Sequence, residues 1–410
     1  MGQGHPENTA ENSTPFVVKL AGELLPHGLQ GEIWAARIRN PLSQPSASAA
    51  TVDVEVLPYS PSLLTTIRQA REAGRTILLQ ADPADQTTQR IASHLPLFDK
   101  IDPNAQSDHK QASQAKSNTL KNWLSAFRLH QWVKNALIFV PLLASHEFSN
   151  PVLLLEAFIA FIAFGLCASS VYILNDIMDL NDDRHHKSKR FRPFAAGRLS
   201  VSAGLTAFPL LLLAAFTIAF LILPWLFAAV LAAYYLLTLV YSLLLKRLMA
   251  LDVIALAMLY TLRIFAGVAA LNLKLTFWLL AFAMFLFLSL ALAKRFAEIR
   301  DALERGRTGK TRGRDYDTRD LEMISSLGAA SGYQAVMVLA LYIYEQSTVA
   351  LYSNPEFLWL ACPVLLFWIT RVWMLTHRGQ MHEDPVVFAA RDWISQVAGA
   401  IFLLIFLTAS

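Results

Sequence analysis

The sequence predicts an all-α polytopic membrane bundle of nine transmembrane helices, preceded by a small α/β domain. Three observations predict it. The chain is 55% hydrophobic and only 16% charged, with a mean hydropathy of +0.40, too apolar for a soluble protein of 410 residues. Nine apolar stretches follow one another from about residue 135 to the end, most of them near the ~20 residues that cross a bilayer core. Before residue 120 the text is different, polar overall and punctuated by short β-branched runs.

Residues 1–14 (MGQGHPENTAENST) carry no periodicity and no apolar h-region, so they read as a disordered tail with no cleavable signal peptide. Residues 15–102 read as the α/β domain. Phe16-Val17-Val18-Lys19-Leu20 suits a strand, a helix is expected around Ser62 to Glu72, and Thr76 to Leu79 suits a second strand, an order that makes a βαβ unit. Residues 103–120 are polar and form a linker, and residues 121–410 form the membrane domain.

The apolar stretches lie at roughly 135–146, 152–174, 203–222, 225–245, 252–270, 275–293, 327–349, 356–376 and 393–409, the first being short for a span. Cations alternate between them. The loops after the second, fourth, sixth and eighth stretches hold Arg184, Lys187, Lys189, Arg190 and Arg192, then Lys246 and Arg247, then Lys294, Arg295 and Arg300, then Arg378. The intervening loops hold one lysine, Lys274, or none. The positive-inside rule therefore predicts a multi-pass protein of the inner (cytoplasmic) membrane with a cytoplasmic amino terminus. The same distribution argues against nucleic acid as a partner, because the cations border apolar runs instead of forming a stripe with interleaved aromatics. Cys167 and Cys362 both fall inside apolar segments and read as small core residues.

The chemistry concentrates at span ends. Asn175 is followed by Asp176, Asp179 and Asp183 at i, i+3 and i+7, so a continuing helix stacks the three carboxylates on one face at the membrane boundary. Magnesium prefers such oxygens and commonly bridges one or two carboxylates to a substrate phosphate. Lys189, Arg190 and Arg192 come directly after and suit the leaving group of a diphosphate. Tyr241, Lys246 and Arg247 close the fourth stretch, and Arg263, a dozen residues into the fifth, calls for a polar cavity or a carboxylate. Lys294, Arg295 and Glu298 close the sixth, with Lys294 and Glu298 spaced for an i, i+4 ion pair or for phosphate contact. Ahead of the first stretch, Arg128-Leu-His130-Gln-Trp132-Val-Lys134-Asn135 offers a tryptophan suited to interfacial anchoring and a lysine and asparagine able to face the same mouth.

Two resemblances can be named on these residues. Residues 16–102 resemble the haloacid dehalogenase-like phosphatase fold in layout, with Leu57-Pro58-Tyr59 ahead of one helix and His94-Leu-Pro-Leu-Phe-Asp99 after another. Where that family carries its D-x-D-x-T aspartates, this chain has Lys19, Ala21 and Glu23, and a lysine cannot form an aspartyl-phosphate. The resemblance thus implies a degenerate, catalytically dead domain used for folding, docking or regulation.

Residues 121–410 resemble the UbiA superfamily of intramembrane prenyltransferases, whose N-D-x-x-D-x-x-x-D motif is matched by Asn175, Asp176, Asp179 and Asp183. Within it the chain is most similar to decaprenyl-phosphate phosphoribosyltransferase, through Arg128-x-His130-Gln131-Trp132-x-Lys134-Asn135 and Lys189-Arg190-x-Arg192-Pro193 with Gly197, and departs from that branch at Lys187. Lys294-Arg295-x-x-Glu298 stands where many aromatic prenyltransferases carry a second aspartate-rich motif. The resemblance implies a magnesium-dependent transferase. Asp176, Asp179 and Asp183 would hold the metal and act with Lys189 and Arg190 in catalysis, while Lys134, Asn135, Asn175, Arg192, Tyr241, Lys246, Lys294, Arg295 and Glu298 would bind substrate. The expected substrates are a diphosphate-bearing donor, phosphoribosyl pyrophosphate, and a polyprenyl phosphate acceptor. A prenyltransferase joining an allylic diphosphate to an aromatic ring, and a non-catalytic lipid carrier or scaffold, are the alternatives.

Overall fold

The computed structural model describes residues 15–39, 52–105, 119–274, 276–306, 309, 314–345, 352–381 and 384–409, so the expected tail at 1–14 and most of the expected linker lie outside the described residues. The chain forms two compact units, one of Met1–Arg128 with Tyr172–Leu210, the other of Leu129–Val171 with Leu211–Ser410.

The first unit contains the α/β domain. Strand β1 (Phe16–Lys19) pairs in parallel with β2 (Ile77–Gln80), and β2 with β3 (Lys100–Ile101), in the register Phe16 to Ile77 and Leu78 to Lys100. Parallel neighbours require crossovers. Helix α1 (Gln30–Arg39) and helix α2 (Pro61–Glu72) lie between β1 and β2, and α3 (Gln86–His94) lies between β2 and β3. Two of these helices start where their side chains dictate: the Ser60 hydroxyl accepts from the Leu63 amide with Pro61 next in line, and the Asp85 carboxylate accepts from Thr87 and Thr88. Val18, Leu24, Ile67, Ile77, Leu79 and Ile91 are fully buried in one core, so the apolar alternation that predicted the elements is also what packs them. After a short helix α4 (Thr119–Ala126), the unit takes in the end of α6 (Pro151–Met178), α7 (Leu180–His185), and the first residues of α8 (Val201–Ile222).

The second unit is helical. It contains α5 (Val140–Ala144), α9 (Trp225–Leu243), α10 (Leu251–Ala270), α11 (Phe277–Glu304), α12 (Leu321–Tyr344), α13 (Ala361–His377), α14 (Pro385–Arg391) and α15 (Trp393–Ala409). Across the described residues seven helices are long and apolar enough to cross a bilayer, or eight when α14 and α15, bent by 85° at Asp392, count as one span. Trp225 and Phe277 open α9 and α11, and Tyr344 closes α12, all largely exposed, as aromatic residues at a membrane interface are. These are the span ends without lysine- or arginine-rich loops.

The expected first span does not form as one helix. Leu129–Phe139 is a 3-10 segment and α5 adds only five residues. A dozen residues of helix rise about 18 Å against a hydrocarbon core of about 30 Å, and Pro141 supplies no amide hydrogen. Trp132 is also not simply an interfacial anchor, because its indole N–H donates to Ser169 Oγ at 3.0 Å.

Small residues let the long helices approach. A Cβ at Gly328 on α12 would lie 2.1 Å from the Trp373 ring of α13 and 3.0 Å from Leu292 Cβ of α11. Ser289 Oγ, which accepts from Trp373 Nε1 at 3.0 Å, donates to the Gly328 carbonyl at 2.7 Å, so three helices meet at this point. Gly328→Ala is expected to cost about 1–3 kcal/mol through overpacking, read as a lowered midpoint of thermal unfolding in detergent.

Candidate functional site

The acidic motif sits at the end of α6. Asp179 (φ −90°, ψ 12°) interrupts the helix, yet the Asp179 amide still donates to Asn175 O and the Asp183 amide to Asp179 O, both at 2.8 Å. The four-residue rise is preserved, which carries Asp183 round to the face of Asp176. Both carboxylates are buried, at 2% and 1% exposure, and both reach one atom: Arg192 Nη1 lies 3.1 Å from Asp176 Oδ1 and 2.6 Å from Asp183 Oδ2. Arg128 also donates to Asp176, and its guanidinium lies over the Tyr172 ring at 5.1 Å. Burial pushes the Asp183 carboxyl above the usual carboxylate range, with Arg192 opposing.

Of the three expected metal ligands, the structure therefore brings two together on a common cation, while Asp179 and Asn175 are half-buried beside them. Among the described residues no group of three histidine, cysteine or acidic side chains is gathered as a ligand set. Two buried carboxylates that converge on a single positive atom do fit a divalent cation bound there with water and substrate oxygens completing its shell. Lys189 and Arg190 stand exposed on a 3-10 turn, Lys189–Phe191, that leads into Arg192.

Within the second unit, two further clusters form. Asp384, which caps α14 by accepting from the Val386 amide, also accepts from Lys134 Nζ at 2.9 Å, Lys294 Nζ at 3.2 Å and Tyr260 Oη at 2.8 Å. Burial alone would raise this carboxyl, but the ammonium groups of Lys294 and Lys134 outweigh it and hold it well below the usual range. Lys134 in turn is pushed down to about 8, first by burial and then by Lys294, with Asp384 pulling the other way. Two cations thus share one anion, an arrangement that leaves a net positive site suited to a phosphate.

The other cluster is closed. Asp252, fully buried, accepts from Tyr241 Oη and Arg314 Nη1, each at 2.9 Å, and has Arg295 Nε 2.8 Å away, near enough for an ion pair though not aligned as a hydrogen bond. Glu298 pairs with Arg295 and with Arg314 Nε at 3.3 Å. Of the expected substrate-binding groups, Arg295 is fully buried and its guanidinium lies between the internal carboxylates Asp252 and Glu298, while Tyr241 is half-buried and donates to Asp252. Lys294 Nζ lies 3.2 Å from Asp384 Oδ2, a partner 90 residues away that its spacing with Glu298 did not suggest. Lys246 lies half-buried on the 3-10 turn Leu245–Arg247.

Arg263 is satisfied by neutral groups. Its Nε donates to Asn135 Oδ1 at 3.0 Å and its Nη2 to Tyr234 Oη at 3.1 Å, and its guanidinium lies over Phe164, Tyr234 and Tyr260 at 5.3, 5.0 and 5.5 Å. Three aromatic rings thus face the guanidinium for which the sequence called for a polar cavity or a carboxylate. Sequence reasoning missed Asp384 and Tyr260. The signal for Asp384 was present as Asp384-Pro385, an N-cap followed by proline at the first helical position.

Comparison with known proteins places these clusters in context. The sequence profile described as the UbiA prenyltransferase family matches residues 136–405. The protein y4nM of Sinorhizobium fredii is 34% identical across 90% of this chain and 83% of its own length. Decaprenyl-phosphate phosphoribosyltransferase of Mycobacterium tuberculosis is 28% identical across 70% of this chain and 97% of its own length. Among solved structures, a UbiA homologue from Archaeoglobus fulgidus bound to GPP and Mg2+ superposes with a TM-score of 0.53 at 14% identity, covering 70% of this chain and 99% of that one, a likeness of fold.

Proposed function

The chain belongs to the UbiA prenyltransferase family and is a multi-pass membrane transferase, and from that premise we propose that it moves a phosphoribosyl group from phosphoribosyl pyrophosphate to a polyprenyl phosphate. The observation that carries this reading is the convergence of Lys134 and Lys294 on Asp384. Lysines here suit a phosphate-bearing acceptor; a neutral aromatic acceptor supplies no anion for them. The 28% identity to a decaprenyl-phosphate phosphoribosyltransferase supports the same choice.

In this reading Asp176 and Asp183 hold magnesium, with Asp179 and Asn175 alongside, and the ion when bound offsets charge on the donor diphosphate. Arg192 and Arg128 turn from the carboxylates to the diphosphate oxygens, and Lys189 and Arg190 add charge at the exposed edge. The bond between the anomeric carbon and the diphosphate breaks, pyrophosphate leaves, and an oxygen of the acceptor phosphate forms the new bond. Lys134 and Lys294 hold that phosphate, exchanging Asp384 for it. In the same reading the amino terminus and the acidic motif lie on the cytoplasmic side of an inner membrane, supported by the alternation of cation-rich loops along the sequence. Residues 15–102 are a degenerate haloacid dehalogenase-like domain, supported by the parallel β1-β2-β3 order and by Lys19 at the nucleophile position.

The test incubates membranes containing the protein with magnesium and either labelled phosphoribosyl pyrophosphate plus polyprenyl phosphate, or labelled allylic diphosphate plus aromatic acceptors. Label is expected in lipid from the first mixture. Label in product from the second mixture alone would replace this reading with an aromatic prenyltransferase.

A further inference from the structure

The sequence offers the α/β domain no catalytic task, but within its compact unit that domain is fastened to the acidic segment. Arg184 follows Asp183 directly and is buried, and every nitrogen of its guanidinium is used. Nη1 and Nη2 donate to the two oxygens of Glu32 on α1 at 2.9 and 2.6 Å, and Nε donates to the Ala195 carbonyl at 3.2 Å. One side chain therefore ties α1 both to the helix carrying Asp183 and to the loop carrying Arg192. Three more contacts join the same surfaces. His185 Nε2 lies 3.7 Å from Asp53 Oδ2. Gly197, at φ +66°, would bring a Cβ within 2.6 Å of Pro58 Cβ, and Gly31 would bring one within 3.0 Å of Val201 Cβ.

A buried ion pair contributes little net stability, because desolvation cancels much of the attraction. What a bidentate Arg–carboxylate fork supplies is geometry: two parallel hydrogen bonds fix the guanidinium plane, and through it the residues on either side. One residue beside it, Asp183, meets Arg192 Nη1, and Ala195, whose carbonyl Arg184 Nε holds, lies three residues beyond Arg192 on the same loop.

We infer that the α/β domain is a built-in positioning element for the acidic segment, and that Glu32, through Arg184, is a positioning residue for Asp183 and Arg192. The inference rests on the proposed reading of that segment as the diphosphate-donor site. It gives the α/β domain an internal docking partner, the donor-side loop of its own chain.

The experiment uses the full chain in lipid nanodiscs, comparing wild type with Glu32→Ala, Glu32→Asp and Gly197→Ala. Amide hydrogen exchange is read over residues 180–199, with residues 77–80 of the sheet reporting whether the domain stays folded. Kinetics are measured with donor and acceptor varied separately. Glu32→Ala is expected to speed exchange over 180–199, to raise the donor KM and the magnesium requirement about tenfold, and to leave the acceptor KM unchanged. Glu32→Asp, which keeps the charge, should recover part of each effect, and Gly197→Ala should repeat the exchange result by a separate contact. Unchanged exchange over 180–199 in variants whose sheet is protected, or equal rises in both KM values, overturns the inference. The exchange measurement needs no substrate, so it stands apart from the donor assignment: if the donor proves to be an allylic diphosphate, the kinetic comparison is repeated with it.

Discussion

Asp176→Ala is expected to lower kcat by about 10³-fold or more while the donor KM changes little, measured as label transfer to lipid at saturating magnesium. The asymmetry follows from what surrounds the carboxylate. Asp176 is 2% exposed and accepts from both Arg128 and Arg192, whose side chains remain 23% and 28% exposed. Removing the acid frees two cations that can still bind a diphosphate, so affinity survives. What is lost is one of two oxygens that converge on a single point, and with it the charge compensation that develops only as the leaving group departs. Because the two arginines keep access to water, the variant should remain folded, with a thermal midpoint close to wild type. Asp183→Ala should behave in the same way, since its carboxylate shares Arg192 Nη1. A variant at either position that turns over at the wild-type rate would remove the acidic motif from the mechanism.

How much of this could be read from the sequence depended on whether the determinant is local. The βαβ order was readable because strand alternation and the Ser60-Pro61 cap act within a few residues, and the observed elements start and end within one or two positions of those expected. The long spans were readable for the same reason, since hydropathy is a property of a window. The first stretch failed because its twelve residues had to be judged against the thickness of a bilayer, and tertiary packing of Trp132 and Pro141 decided its path.

The carboxylate spacing correctly put Asp176 and Asp183 on one side, but their common partner, Arg192, comes from a loop whose course no periodicity describes. Asp384 lies 90 residues beyond Lys294 and farther still from Lys134, so a chain-order reading met two lysines with no visible reason to be related. Arg295 shows the opposite limit. Its position beside Lys294 made it look like a second phosphate ligand, yet α-helical geometry turns adjacent residues about 100° apart, and Arg295 points to Asp252 while Lys294 points to Asp384.

That divergence makes the two lysines the basis of a second large effect. Lys134→Ala is expected to reduce kcat/KM for the acceptor by about 10- to 100-fold, the worth of a charge-assisted hydrogen bond, with the donor KM unaffected. Lys294→Ala should do likewise, and the double variant should lose more than either alone. The pH profile provides a separate check. Lys134 is pushed down to about 8, so its ammonium is present below that pH and is lost as pH rises through it. The kcat/KM for acceptor should therefore fall on an alkaline limb centred near 8. Asp384 is the group that pulls Lys134 upward, so Asp384→Asn should move the limb to lower pH, and Lys134→Arg should move it out of the accessible range.

Stability should run in the opposite direction. Between about 8 and the ordinary lysine value of 10.5, the unfolded chain binds the Lys134 proton and the folded chain does not, so this residue's contribution to stability rises with pH across that window. Activity lost while the thermal midpoint holds or climbs would trace the alkaline limb to the charge on Lys134. If activity and midpoint fall together there, the limb reports unfolding, and the phosphate-holding role of the Lys134–Lys294 pair loses its support.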